Sequence, residues 1–238
     1  MRIGLIGCWV VAAAAAFNCD AAEELITTAK MSGGEAVPYI LNYQTSTPRY
    51  VVILFPGGSG EMNPHMVDGK LVYGFKGNFV IRTRKFIVDK EFTTVATNST
   101  QSAERVQAIL NDLGKRFPAA RIYLMGTSKG TFDTMALAPY LSDKITGEIH
   151  TSSLDRIATF DAKKFKNRHL VVHHKHDGCR VTPFAAALYS HEKYGNDLIA
   201  MDGGIDVGDP CEPRGHHGFN GIERETIEAI KQWIKRGG

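Results

Sequence analysis

Short apolar runs alternate with amphipathic segments along most of the chain. The runs are rich in β-branched residues, and several are apolar throughout, as strands buried on both faces of a sheet are. Strands that alternate with helices are typical of βαβ units around a mostly parallel sheet. The pattern therefore predicts an α/β protein. Its predicted strands are residues 38–43, 50–55, 79–83, 93–96, 121–125, 147–150, 169–174 and 197–201.

Helical periodicity is clearest in two segments. Residues 102–116 place apolar side chains at positions i, i+3, i+4 and i+7, and Pro118 then favours the end of the helix. Residues 222–235 place isoleucines on one face. Because Glu223 follows Asn220 by three positions, the sequence predicts a capping box at the start of this last helix.

The first 21 residues have the pattern of a secretory signal peptide. Arg2 provides a charged start, residues 3–17 are apolar, and Ala21 ends a small-x-Ala sequence. A membrane helix is the alternative, but a span needs about 20 apolar residues and no second apolar run follows. We therefore predict cleavage after Ala21 and a single domain at 22–238, exported to the periplasm or secreted, with no membrane span after processing.

The composition is that of a globular chain without an extreme charge. Of its 238 residues, 43% are hydrophobic and 22% are charged, and the formal net charge is +3. These values exclude a disordered chain and a protein with several membrane spans. Lys and Arg form no stripe interleaved with aromatic residues, so no nucleic-acid partner is predicted.

A G-x-S-x-G motif lies between a predicted strand and a helix-like segment. Gly126, Ser128 and Gly130 follow strand 121–125 and precede the segment 131–141. This context is typical of a nucleophile elbow, a sharp turn that exposes the serine hydroxyl, where glycines leave room for neighbouring backbone. The alternative is an ordinary helix start that Ser128 caps.

Two later loops supply the partners that a nucleophilic serine needs. Asp177 follows strand 169–174, and His217 follows strand 197–201. Attack by the hydroxyl of Ser128 requires a neutral imidazole to accept the proton and a carboxylate to orient that imidazole. Loops at the C-terminal ends of parallel strands meet at one edge of a sheet, so the sequence predicts a Ser-His-Asp triad.

With these motifs, the sequence resembles small exported bacterial serine hydrolases of the α/β-hydrolase superfamily. Those proteins share a G-T-S-[KR]-G elbow and a cysteine pair near the acid and histidine loops. The resemblance covers nearly all of residues 22–238. It implies an α/β-hydrolase fold, with a mostly parallel sheet flanked by helices, and an activity that needs no cofactor.

The resemblance also implies two backbone amides that stabilise negative charge on the reacting carbonyl oxygen. One belongs to Lys129, which follows the nucleophile, and the other to the glycine-rich loop after strand 50–55. Pro56 stands where many relatives carry the histidine of an HG motif, and we favour Gly58 over Gly57 for the second amide. Preorganised N–H groups of this kind each accelerate reaction about 10²–10³-fold.

The cysteine pair of the resemblance is represented here by Cys179 on the acid loop and Cys211 before the histidine motif. Removal of the leader would also remove Cys8 and Cys19, and oxidising compartments favour disulfides. A single Cys179–Cys211 bridge is therefore predicted. The alternative is a pair of unrelated buried thiols.

Neighbouring residues leave alternatives for two triad members. His216 adjoins His217, and His217 is favoured because it directly precedes a Gly-Phe pair, as in the family motif. Asp161 and Asp202 are the other candidate acids, and Asp177 is favoured because it follows its strand directly.

The crowded histidines also permit a zinc site. Its ligands would be His174, His176, Asp177 and His217. The triad explains Asp177 and His217 without a metal and explains Ser128 as well, so we predict no metal. The glycine-rich loop lacks the Gly-Lys-Ser/Thr of a P-loop, which argues against a bound nucleotide.

The short connection between strands 147–150 and 169–174 predicts that there is no large cap domain. An open cleft suits a small ester or the end of a polymer, and Met62, Met66 and Phe219 are its candidate walls. The predicted function is carboxylic ester hydrolysis through an acyl-enzyme. The alternatives are an acyltransferase, a thioesterase or a peptidase on the same triad, and a hydrolase-fold binding module.

Overall fold

The computed structural model describes residues 22–237, so the predicted signal peptide, residues 1–21, lies outside the described residues. The strands of this region are β1 (Glu23–Lys30), β2 (Ala36–Tyr43), β3 (Tyr50–Phe55), β4 (His65–Val67), β5 (Lys70–Val72), β6 (Phe92–Ala96), β7 (Arg121–Thr127), β8 (Gly147–Thr151), β9 (Arg168–His174) and β10 (Asp197–Met201). The α-helices are α1 (Phe79–Arg82), α2 (Arg84–Ile87), α3 (Ala103–Arg116), α4 (Lys129–Leu141), α5 (Phe184–Tyr194) and α6 (Glu223–Arg236).

Within the described chain, eight strands form one twisted layer in the order β1-β2-β6-β3-β7-β8-β9-β10. The first two strands join antiparallel, and β2 is also antiparallel to β6. From β6 to β10 every neighbouring pair is parallel. The predicted mostly parallel sheet is therefore confirmed. The short β4–β5 hairpin stands apart from it.

Alternate residues of the central strand β3 enter two separate apolar cores. Tyr50, Val52 and Leu54 pack with residues of α1, α2 and α6, while Val51 and Ile53 pack with residues of α3 and α4. All six residues of β3 are buried. This explains why its sequence is apolar throughout, since a strand between two helical layers has no solvent face.

One predicted strand is wrong. Residues 79–83 form the short helix α1 and its C-terminal cap, where the Thr83 hydroxyl donates to the carbonyl of Phe79 at 2.6 Å. Phe79, Val80 and Ile81 are all buried, because the helix packs on the sheet in a core to which α6 also contributes. A short run that is buried all round carries no periodicity that distinguishes a strand from a helix.

The predicted capping box is also wrong. The cap position of α6 is Ile222, and no side chain caps the helix. Glu223 does accept the backbone N–H of Gly221 at 2.9 Å, but Asn220 instead donates to the carbonyl of Arg214 at 2.7 Å. Asn220 therefore stabilises the loop before the helix, which carries His217.

No helix within residues 22–237 is long and apolar enough to span a membrane. Between β8 and β9 the chain forms two short 3₁₀ turns, Asp155–Thr159 and Ala162–Lys164. This connection contains no cap domain, as the sequence predicted.

Candidate active site

The predicted site residues lie after strands that run in the same direction. Ser128 follows β7, Asp177 follows β9, and His217 lies in the long loop after β10. Gly58 follows β3 in the neighbouring part of the sheet. Because β3, β7, β8, β9 and β10 are mutually parallel, all four loops begin at one edge of the sheet.

Ser128 occupies a backbone conformation that L-residues rarely adopt. Its φ is +52° and its ψ is −123°, and the turn connects β7 directly to α4. Its side chain makes no capping hydrogen bond to the helix, so the alternative of a simple helix cap is wrong. Strained backbone of this kind is concentrated at functional sites, where surrounding structure holds it.

The two glycines of the elbow are required by contact. A Cβ at Gly126 would lie 2.5 Å from the carbonyl oxygen of Gly130. A Cβ at Gly130 would lie 2.5 Å from the carbonyl oxygen of Phe55 in β3. Both distances are too short for any side chain. The sequence spacing G-x-S-x-G therefore reflects close approach of the elbow to itself and to β3.

His217 and Asp177 form a direct hydrogen bond inside the protein. Nδ1 of His217 lies 3.0 Å from Oδ2 of Asp177, whose side chain is fully buried. The hydroxyl of Thr182 lies 3.0 Å from the same carboxylate oxygen and 3.2 Å from Nδ1 of His217. The protein hydrogen bonds of the His217 ring within residues 22–237 use Nδ1, which leaves Nε2 for a group in the cleft.

The carboxylate of Asp177 is held ionised. Burial by itself would raise the pKa of Asp177, but hydrogen bonds from His173, His217 and the Cys179 amide and the charge of His217 hold it well below the usual range for aspartate. The Cys179 N–H donates to Oδ1 at 2.9 Å. An ionised carboxylate on Nδ1 stabilises an imidazolium and orients the ring, which general base catalysis requires.

One hydrogen bond and one close contact hold the loop around His217. The hydroxyl of Ser152 donates to the carbonyl of His217 at 2.7 Å. A Cβ at Gly218 would lie 2.1 Å from the carbonyl oxygen of Pro213, so only glycine fits after the histidine. The close contact accounts for the glycine that follows His217 in the sequence.

His216, the competing histidine, lies away from the acid. Its ring stacks on that of His174 with 4.0 Å between the ring centroids, and its Nδ1 lies 3.2 Å from the carbonyl oxygen of His176. Neither runner-up acid approaches the two histidines of the loop. Asp202 pairs with Lys175 at 3.1 Å, and Asp161 accepts the backbone N–H of Lys163.

The zinc ligands considered from the sequence do not converge. Nδ1 of His174 accepts the N–H of His176 at 3.0 Å, and its Nε2 lies 2.8 Å from the carbonyl oxygen of Gly203. Both ring nitrogens are therefore occupied. Among the described residues, the ligand atoms of three His, Cys, Asp or Glu side chains converge only at Glu148, His150 and His169, within the core.

The glycine-rich loop after β3 lies directly against the nucleophile. A Cβ at Gly57 would be 2.9 Å from the Cβ of Ser128, and a Cβ at Gly58, whose φ is +62°, would be 2.8 Å from the ring of Phe75. Lys129 is the first residue of α4, where the N–H has no partner within the helix. Its side chain is half exposed, and the amine pairs with Asp133 at 3.6 Å.

A cleft of about 300 Å³ contains both Ser128 and His217. Its other lining residues are Gly57, Gly58, Phe75, Gly77, Asn78, Phe79, Thr127, Cys211, Glu212, Pro213 and Gly218. The Oδ1 atom of Asn78 is buried and has no hydrogen-bond partner among residues 22–237. A larger surface cavity of about 480 Å³, near Arg82 and Glu225, has no Ser, Cys or His in its lining.

The three wall residues expected from the sequence do not line this cleft. Met62 is buried in the core, Met66 is half exposed on the β4–β5 hairpin, and Phe219 packs behind the site against Phe79. Adjacency in sequence was a poor guide, because the chain after Gly60 leaves the site and returns only at Phe75. The Phe75–Phe79 segment carries no motif, and its proximity depends on the path of that loop.

The predicted disulfide is confirmed. Cys179 and Cys211 are joined, with 4.6 Å between their Cα atoms. Cys179 is buried beside Asp177, while Cys211 is exposed and lines the cleft. The bridge therefore fixes one wall of the cleft to the loop that carries the acid.

Reduction of this bridge should destabilise the protein. The bonded residues are 32 positions apart, and closing a loop of that length stabilises the folded state by about 3–4 kcal/mol in the chain-entropy model. We expect the melting temperature to fall by about 10 °C in reductant. Differential scanning calorimetry checks this, with the Cys179→Ser/Cys211→Ser double variant as the control whose melting should not respond to reductant. An unchanged wild-type melting temperature after complete reduction would contradict the expected role.

Comparison with known proteins places this architecture. No protein-family model matches the chain, and no curated protein matches it. Among solved structures, XC6422 from Xanthomonas campestris, an α/β serine hydrolase without a lid, superposes with a TM-score of 0.58 at 14% identity, over 87% of this chain and 95% of that one. The esterase domain of a Rhodothermus marinus protein gives 0.62 at 11% identity, over 91% and 100% of the two chains. The chain has the α/β-hydrolase fold.

Two further structures with this fold are Est1E and a protein described as a peptidase. Est1E from Butyrivibrio proteoclasticus matches with a TM-score of 0.62 at 14% identity, over 89% of this chain and 98% of that one. A protein from Bacteroides ovatus, described as a dipeptidyl aminopeptidase IV, matches with a TM-score of 0.62 at 12% identity. The match covers 92% of this chain but only 36% of that one. Identities this low establish a shared fold, so activity has to be argued from the site.

Proposed function

We propose that the protein is a serine hydrolase that cleaves carboxylic esters through an acyl-enzyme. The observation that carries this proposal is the shared cleft. It is lined by Ser128 in its strained turn and by His217, which is bonded to the buried Asp177. Binding proteins also have clefts. An ionised carboxylate bonded to an imidazole beside a serine, however, serves to activate a nucleophile, which a binding module does not need.

Acylation follows from the atoms that face the cleft. The hydroxyl of Ser128 attacks the ester carbonyl while Nε2 of His217 accepts its proton, and Asp177 stabilises the imidazolium through Nδ1. In enzymes without substrate the contact between nucleophile and base is often longer than in the reacting complex. The His217 imidazolium then protonates the departing alkoxide, and the alcohol leaves.

Deacylation reuses the same groups. A water molecule in the cleft loses a proton to His217 and attacks the acyl carbonyl, after which the acid departs and Ser128 regains its proton. Negative charge forms on the carbonyl oxygen in both steps. The backbone N–H groups of Gly58 and Lys129 are our proposed donors to that oxygen, because one follows β3 beside the elbow and the other begins α4.

A fluorophosphonate probe tests the proposed nucleophile directly. We expect the native protein to form one phosphonyl adduct per chain, and the modified peptide should contain Ser128. Heat-denatured protein is the control, because the reaction requires the folded site. An adduct on another serine, or no adduct together with no ester hydrolysis, would contradict the proposal and favour a binding module.

The shape of the cleft favours short acyl groups. Its volume is about 300 Å³, and Phe75, Phe79 and Pro213 restrict it. We expect kcat/KM for p-nitrophenyl acetate or butyrate to exceed that for the decanoate by about 10-fold or more. Phe75→Ala should narrow this difference. Tyr140→Ala, at an exposed position outside the cleft, is the control. If Phe75→Ala kept the same ratio of kcat/KM values between short and long esters as the wild type, the assignment of Phe75 would be contradicted.

Peptide, thioester and acyl-transfer substrates would use the same groups. The likeness to the Bacteroides ovatus protein favours a test on peptides, but most of that protein's chain lies outside the match. A substrate panel of esters, thioesters and aminoacyl anilides, with and without added alcohol, distinguishes these alternatives.

We also propose export through the signal peptide at residues 1–21, which the Cys179–Cys211 bridge supports, because disulfides persist in oxidising compartments.

A further inference from the structure

Three ionisable side chains meet inside the protein, on the neighbouring strands β8 and β9. Glu148 and His150 are alternate residues of β8 and share one face of the sheet, and His169 on β9 is the direct cross-strand partner of Glu148. The side chains of Glu148 and His150 are fully buried, and that of His169 is 2% exposed. None of the three contributes to the proposed hydrolysis.

The facing atoms of this cluster have no hydrogen-bond partners within the described chain. They are Oε2 of Glu148, Nε2 of His150 and Nδ1 of His169. Oε2 lies 3.9 Å from Nε2 of His150 and 4.0 Å from Nδ1 of His169, beyond hydrogen-bond distance in both cases. Buried polar atoms without partners are rare and costly, and three that face each other indicate a shared ligand.

Neighbouring groups hold both imidazoles in the form that binds metals. The hydroxyl of Thr134 donates to the carbonyl of Thr131 at 3.0 Å, so it accepts from Nδ1–H of His150, also at 3.0 Å. Nε2 of His150 is then unprotonated and carries a lone pair. Metal-ligating histidines show this arrangement, in which the second ring nitrogen donates to an oxygen.

The same holds for His169. Its Nε2 lies 3.0 Å from Oδ1 of Asn167, an acceptor, so Nδ1 is the unprotonated atom that faces Glu148. The amide of Asn167 also donates to Oε1 of Glu148 at 3.4 Å and so contacts two members of the cluster.

We propose that Glu148, His150 and His169 bind one divalent transition-metal ion of the zinc type. Two imidazole nitrogens and a carboxylate oxygen are a donor set that zinc and its neighbours in the first transition row accept. Ligands about 2.1 Å from a tetrahedral ion lie about 3.4 Å apart. Binding would therefore bring Oε2 of Glu148 closer to each of the two ring nitrogens, which now lie 3.9 and 4.0 Å away. The ion would join β8 to β9 and satisfy all three atoms.

Aromatic rings flank the cluster, and a surface cavity lies beside it. The rings of Phe160 and Phe165 pack against His169, at centroid distances of 5.2 and 5.7 Å. His169 and Asn167 also line a surface cavity of about 240 Å³. An ion would enter from this cavity past His169, whose side chain is 2% exposed.

Titration with zinc chloride after removal of bound metal by a chelator tests the proposal. We expect calorimetry on the full mature chain to show one tightly bound ion per chain, distinct from any weaker binding at surface histidines. At free zinc of 100 times the dissociation constant, the melting temperature should rise by about 5–10 °C. Glu148→Gln, which keeps the shape of the side chain, and His169→Gln should each weaken binding by about 100-fold.

Exposed histidines require a matched control. His176 is exposed and lies near Asp202 and His216, so this surface group can hold zinc adventitiously. His176→Gln should leave the proposed site unchanged. Absence of zinc binding in the wild type, or binding that survives Glu148→Gln but is lost in His176→Gln, would overturn the proposal.

A spectroscopic measurement on the wild type covers the case in which a core variant fails to fold. X-ray absorption at the zinc edge, with one equivalent of zinc bound, should show two imidazole ligands and a short oxygen shell. A coordination shell of oxygen alone, or of one imidazole with water, would contradict the assignment. Neither measurement depends on ester hydrolysis. The metal site and the proposed hydrolase function are therefore tested independently of each other.

Discussion

Ser128→Ala should reduce the hydrolysis of p-nitrophenyl acetate by at least about 10³-fold in kcat while the protein stays folded. The reason is that the acyl-enzyme forms on this hydroxyl, and the remaining groups would only position water and stabilise the oxyanion. Loss of a small hydroxyl from a half-buried position removes no packing, and the hydroxyl makes no capping hydrogen bond to α4. Steady-state kinetics together with circular dichroism measure both parts of this expectation.

The matched control is Ser59→Ala. Ser59 is exposed in the glycine-rich loop beside the cleft, and its hydroxyl accepts only a long 3.4 Å contact from the N–H of Glu61 among the described residues. We expect its kinetics to stay within about threefold of the wild type. Hydrolysis that persists in Ser128→Ala at the wild-type rate would reject the serine mechanism.

Substitution of the two adjacent histidines should have very different effects on kcat, and the effect at His217 should be about as large as that at Ser128. His217→Gln should lower kcat by about 10³-fold or more, because the ring that bonds Asp177 is the proposed base and acid. His216→Gln should change kcat by less than about threefold, since its ring stacks on His174 outside the cleft. Assays over a range of pH at saturating substrate compare both variants with the wild type.

The pair of variants contains its own control, because the two positions share a loop and a side-chain type. Equal losses in both would point to distortion of the loop rather than to a missing base. A large loss confined to His216→Gln would assign the base to the other histidine and would require the loop to rearrange on substrate binding.

Much of the fold was accessible from the sequence because of its buried strands. Residues 50–55 are apolar throughout, and residues 169–174 combine the apolar run 170–172 with three histidines. Both strands are buried between helical layers and formed as predicted. The strand β1 was missed, because it lies at the edge of the sheet and most of its side chains contact solvent. Edge strands have weaker patterns than central strands, for that physical reason.

Some residues of the candidate site could be predicted from the sequence, and others could not. Ser128 and its two glycines could be located because the turn allows few residue types, and Gly218 marks His217 in the same way. Phe75 and Asn78, by contrast, reach the cleft through an irregular loop whose path no local pattern specifies. Residues selected by steric exclusion can be identified from sequence, whereas those that depend on the course of a loop cannot.

The disulfide has a consequence for how the chain responds to proteolysis. The segment that it closes, from Cys179 to Cys211, contains the helix α5 and the outermost strand β10. Sheet edges are where strands detach or pair with other molecules, and this one is tethered at both ends. A single cut within the segment would leave the two fragments covalently joined, so nicked protein would migrate as separate pieces only on a reducing gel.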